Sequence, residues 1–176
     1  TLNCANCTSC AASFSIAQTV PTNNNHELII DLSQSCNSTN VLLINQEVRV
    51  QNDIRDGANN LSLDGYDITI KNTNIQLGPD AKFVVRDGRT LTLENCTLIA
   101  CGSEMWKGIE VMPIADDATP HIIIKDCIIR HAKQSVLLGK DSEFEIENTL
   151  FEDNYVDISF EKYQKRRLIS SYFSVV

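Results

Sequence analysis

The chain has 176 residues, 43% of them hydrophobic, which suits one domain with an ample core. Its formal net charge is −8, from 15 basic and 23 acidic residues, so a nucleic-acid backbone would be repelled. No apolar run approaches the roughly 20 residues that cross a bilayer, and no membrane span is expected.

The chain opens at Thr1 without a signal-peptide pattern, which reads as a processed or trimmed product. Residues 1–45 are rich in Ser, Thr and Asn and carry Cys4, Cys7, Cys10 and Cys36. They are expected to form a Cys-rich N-terminal cap that ends in a first strand, "HELIIDL", because a bare solenoid end exposes strand edges. Cys4, Cys7 and Cys10 spell C-x2-C-x2-C, part of an iron–sulfur ligand run, but the fourth Cys and its Pro are missing. Cys36 could complete a four-Cys metal site. The crowding also fits disulfides in an oxidising compartment, and that is the expectation, with no metal and no cofactor. Seven cysteines leave at least one thiol unpaired or paired outside the chain.

Residues 46–176 are expected to be solenoid coils. One phrase recurs: "IKNTNI" from Ile70, "LENCTL" from Leu93, "IKDCII" from Ile124 and "IENTLF" from Ile146. Its third position holds Asn72, Asn95, Asp126 and Asn148, at intervals of 23, 31 and 22 residues. A weaker copy, "VQNDIR", adds Asn52. A repeat of this length, with strand-like alternation, is the mark of a solenoid. Each phrase follows a short alternating strand, "DITI", "LTL", "HIII" or "FEI", whose Ile68 and Ile70, Leu91 and Leu93, Ile122 and Ile124, Phe144 and Ile146 share an inward face. Further strands are expected at "KFVV", "WKGIEV", "SVLL" and "YVDISF", divided by the turns "LGPD", "RDGR" and "GKDS". Two or three strands per coil of about 22 residues is the arithmetic of a parallel β-helix, whose coils stack at roughly 4.8 Å and share one core. The long interval predicts a loop in one coil, assigned to "MPIADDATP" at 112–120, where Asp116 and Asp117 stand on the surface as a possible ligand loop. The end, "KRRLISSYFSVV", reads as the start of another strand, so a longer, truncated solenoid is expected.

The run "LTLENCTLIACGSEMWKGIEV", with "IIIKDCIIRHAKQSVLL" and "FEIENTLFEDNYVDISF", resembles right-handed parallel β-helix modules of the pectin-lyase-like superfamily. It is most similar to the modules in large secreted proteins of Bacteroidota. The resemblance covers about 48–160 and implies an all-β, right-handed parallel β-helix, extracellular placement and, for some such proteins, type IX export. It says little of function, because the superfamily hosts lyases, hydrolases, adhesins and passive scaffolds.

The chemistry-bearing residues point away from catalysis. Of the superfamily's hydrolase motifs only the adjacent acids Asp116 and Asp117 occur, in a loop where solvated acids are ordinary. Glu94, Asp126 and Glu147 carry oxygens a cation could use, yet alternation sends Glu94 and Glu147 outward as surface charges. The Asn/Asp series reads as a stacked ladder at a turn, where Asn tolerates unusual backbone angles. Cys96 and Cys127 share a phase, near 5 Å apart when stacked, so they could bond or stay as free apolar thiols. Cys101 offers Cys96 a competing partner. Trp106 is assigned to the core or a loop lid, and His121 and His131 to polar surface positions without a carboxylate partner. The expected function is a non-catalytic secreted scaffold or adhesive segment of a larger exported or cell-surface protein. Contact with carbohydrate, protein or secretion machinery is expected. The alternative is part of a polysaccharide lyase or glycoside hydrolase, with catalytic coils elsewhere.

Overall fold

The structure is a computed structural model that describes residues 27–31, 41–51, 61–62, 66–113 and 118–161. Sixteen strands lie among them: β1 Glu27–Asp31, β2 Val41–Ile44, β3 Glu47–Val50, β4 Leu61–Ser62, β5 Asp67–Lys71, β6 Asn74–Leu77, β7 Lys82–Val85 and β8 Thr90–Glu94. The second half continues with β9 Thr97–Ala100, β10 Gly108–Val111, β11 His121–Lys125, β12 Ile128–Arg130, β13 Val136–Leu138, β14 Glu143–Glu147, β15 Leu150–Glu152 and β16 Ile158–Phe160.

They build three parallel sheets, ordered β1-β5-β8-β11-β14, β2-β6-β9-β12-β15 and β4-β3-β7-β10-β13-β16. Taking one strand from each sheet in chain order gives five rungs, and β4 lies beside β3 at the edge of the third sheet. The alternation seen in sequence is the cause. Along β5, β8 and β11 every second side chain is buried, and register stacks like on like: Ile68, Leu91, Ile122 and Phe144 in one column, Ile70, Leu93, Ile124 and Ile146 in the next. Ile75, Leu98, Ile129 and Phe151 line the second sheet, and Phe83, Ile109, Val136 and Ile158 the third. One rung cannot bury its own inner face, so the core exists only through stacking.

Three expectations change here. The solenoid begins before residue 46: β1 and β2, placed within the cap, pair with β5 and β6 as part of rung one. The phrase of Asn52 belongs to another corner, because its Val50 pairs with Val85 at the end of the third sheet, while Asp31 is the register partner of Lys71. Asn52 itself lies outside the described residues. The eight residues by which rung three exceeds rung two are split, five in the corner 112–120 and three in the corner 101–107.

That second enlargement places Trp106 and Lys107 in a corner rather than in a strand. Trp106 turns inward, fully buried, bridges to Ala132, and donates its indole N–H to the Arg130 carbonyl at 3.0 Å. The chain then meets Gln134, an extra residue of rung four, and Gly108 takes φ +111° to pass it. A Cβ on Gly108 would lie 1.6 Å from the Gln134 carbonyl oxygen. The turns at 78–81, 86–89 and 139–142 are each closed by a backbone bond across them, as in Ala81 N to Gly78 O at 3.0 Å.

Candidate functional site

The repeated phrase folds as the corner between the first and second sheets, and it is here that the structure gathers most of the singled-out residues. The corner has two residues. The first must turn left-handed, and Asn72, Asn95, Asp126 and Asn148 have φ of 52°, 51°, 54° and 46°. Asn and Asp tolerate this conformation at lower cost than other side chains. Their backbone amides bond upward to the next rung, from Asn72 to Glu94 O, Asn95 to Lys125 O and Asp126 to Glu147 O, at 2.9–3.1 Å. Their side chains join in pairs: Asn95 Nδ2 donates to Asn72 Oδ1 at 2.9 Å, and Asn148 Nδ2 to Asp126 Oδ1 at 3.2 Å. The stacked Asn and Asp side chains are thus engaged in two pairs.

The second corner residue points inward: Thr73, Cys96, Cys127 and Thr149, all buried. Each donates to the carbonyl two residues back. Thr73 Oγ1 reaches Lys71 O at 2.7 Å, Cys96 Sγ reaches Glu94 O at 3.3 Å, Cys127 Sγ reaches Lys125 O at 3.1 Å, and Thr149 Oγ1 reaches Glu147 O at 2.9 Å. A small side chain with one donor is what the corner requires, and Thr and Cys both supply it.

Cys96 and Cys127 stand here as free thiols. Each sulfur leans toward the rung below: Cys96 Sγ lies 3.3 Å from Ile70 O, and Cys127 Sγ accepts from Cys96 N at 3.4 Å. The Cys127 thiol beside it holds Cys96 below the ordinary thiol range. Cys127, beside Cys96 and buried, is pushed above that range. Cys101 is disulfide-bonded, with its partner outside the described residues. It cannot serve Cys96, because β9 separates them and carries Cys101 to the next corner, about 3.3 Å further per residue.

Outside the corner, register builds a charge column on the first sheet: Lys71, Glu94, Lys125 and Glu147 alternate in sign from rung to rung. Lys125 Nζ sits 2.8 Å from Glu145 and 4.0 Å from Glu147, and its hydrogen bond to Glu145 raises its pKa. Glu94 and Glu147, considered as oxygen donors, therefore flank a lysine. On the third sheet Glu110 bonds Lys82 and lies 3.4 Å from Arg86. At the second corner Lys107 pairs with Asp80 at 2.9 Å and lowers the Asp80 pKa.

His131 departs from expectation: left-handed at φ 54°, it has Asp153 at 3.8 Å. The pair is 22 residues apart in sequence, and only the length of rung four makes them neighbours. His121 ends in the first sheet, between Thr90 and Glu143 in register. Cys4, Cys7, Cys10, Cys36, Asp116 and Asp117 lie outside the described residues. Among the described residues no group of three or more His, Cys, Asp and Glu could hold a metal, and no helix is long and apolar enough to cross a membrane.

A family model described as a right handed beta helix region matches residues 9–165. None of the curated proteins and none of the solved structures compared matches the chain.

Proposed function

Because this chain belongs to the right-handed β-helix family, we propose that it is a non-catalytic scaffold or adhesive segment of a larger exported or cell-surface protein. The observation that carries this reading is the column Lys71–Glu94–Lys125–Glu147. Charges that could orient a substrate instead face opposite charges one rung away, which adds stiffness along the rod rather than an outward field. The paired Asn and Asp side chains at the corner act the same way. The disulfide at Cys101 supports an oxidising, extracellular setting. The likeness of "CGSEMWKGIEV" and the rungs after it to secreted modules of Bacteroidota supports type IX export. The outer sheet faces and the corner at 112–120 are the surfaces offered for carbohydrate or protein contact.

Two measurements test the proposal. Incubation with polygalacturonate and alginate should release neither reducing ends nor unsaturated uronate. Product above the blank would replace the scaffold with the lyase or hydrolase alternative. Electrophoresis through gels containing those polysaccharides should retard the chain if it is adhesive, and unaltered mobility on every polysaccharide leaves only the spacer role.

A further inference from the structure

Of the four inward corner residues, Thr73 and Thr149 at the ends meet the same requirement as the two in the middle, a small buried donor to the carbonyl two residues back. Sulfur at Cys96 and Cys127 is therefore not needed for packing or for the hydrogen bond. What it adds is a pair of free thiols on successive rungs, with Cys127 Sγ 3.4 Å from the Cys96 amide. We propose that Cys96 and Cys127 are an oxidisable staple, which closes into a disulfide between rungs three and four when a small disulfide oxidant reaches the corner.

The geometry places the pair at reach without forming the bond. Stacked rungs stand roughly 4.8 Å apart, inside the Cα separation a disulfide accepts but wider than its preferred Cβ separation of about 3.8 Å. Cys127 Sγ already leans onto Cys96 N at 3.4 Å. Cys96 Sγ is turned the other way, 3.3 Å from Ile70 O. Closing the bond takes a rotation of the Cys96 side chain off that carbonyl and a small approach of the two corner residues. No other partner competes among the described residues, since Cys101 is already bonded and a strand away.

The chemistry is thiol–disulfide exchange. The Cys96 thiol loses its proton and its sulfur attacks one sulfur of a disulfide such as oxidised glutathione, expelling one glutathione thiolate. Cys127 then loses its proton, and its sulfur attacks the Cys96 sulfur of the mixed disulfide, expelling the second. Two protein thiols and one small disulfide become one protein disulfide and two small thiols. Cys96, whose thiol is held below its ordinary range beside Cys127, is the first nucleophile. Both residues are at most 2% exposed, so the corner must open for the first step and the reaction is slow. The closed staple would tie the two ends of a segment of about 30 residues that includes the 112–120 corner.

The experiment treats the full chain with oxidised glutathione, then denatures it, alkylates free thiols and maps the peptides by mass without reduction. The expected result is a Cys96–Cys127 peptide pair lighter by two hydrogen atoms, loss of both alkylatable thiols, and an upward shift of Tm. The Cys96→Thr/Cys127→Thr variant, which copies the residues at the column's ends, should fold and show no oxidant-dependent shift. Both thiols alkylated after oxidant treatment, a glutathione adduct that never closes, or either cysteine bonded elsewhere would each overturn the proposal.

Discussion

At the residue scale, backbone sign decides most of what a substitution does. Asn95 sits at φ 51° with its side chain exposed, so its value lies in tolerating that angle and in one bond to Asn72. Asn95→Ala should lower stability by about 1 kcal/mol, and Asn95→Gly by less, in urea titrations. Gly108 is the harsher case, since the angle and the Gln134 oxygen at 1.6 Å from a Cβ act together. Gly108→Ala should cost about 3 kcal/mol or more, because the obstacle is backbone and cannot swing aside. A cost below about 1 kcal/mol would mean that the bulge at Gln134 relaxes. The asparagines were legible in the sequence, since Asn recurring at one phase signals a left-handed turn. Gly108 was not, because its angle follows from an extra residue in the neighbouring rung.

At the scale of the element, each strand draws its stability from the strands above and below. Lys125 shows how this translates into pH dependence. Its pKa is raised above the ordinary 10.5, first by the hydrogen bond to Glu145. Its contribution to folding is therefore complete below about pH 10.5 and is lost as pH rises through the higher folded value. The side chain is solvent-exposed, so the effect is small and screened by salt. The difference in urea midpoint between the wild type and Lys125→Met should narrow above that pH and also at high salt. A difference constant across both would assign Lys125 to packing instead. The alternation that produced β5, β8, β11 and β14 was plain in sequence, as was the alternating sign of their final residues once the register was known. The His131–Asp153 pair was hidden, because nothing local to either residue announces the other.

For the whole molecule, a solenoid is nearly one-dimensional, and position along it governs the cost of losing core. Ile124 is fully buried between Leu93 and Ile146, so Ile124→Ala should cost about 2–5 kcal/mol. Ile158 belongs to rung five and is only partly buried, so Ile158→Ala should cost about 1–2 kcal/mol. Equal costs in chemical denaturation would contradict the one-dimensional picture. The sequence by itself determined that coils stack, which strand residues face inward and that Asn72, Asn95, Asp126 and Asn148 share one corner, because those depend on period-two alternation and on one residue's backbone preference. Only the tertiary structure decided that rung one reaches back to β1 and that Trp106 fills an enlarged corner. It also decided that Cys96 and Cys127, stacked as their shared phase implied, stay free thiols while Cys101 is bonded elsewhere. Those facts depend on the lengths of corners, and a corner's length sets which residues meet one rung later without leaving a periodic signal of its own.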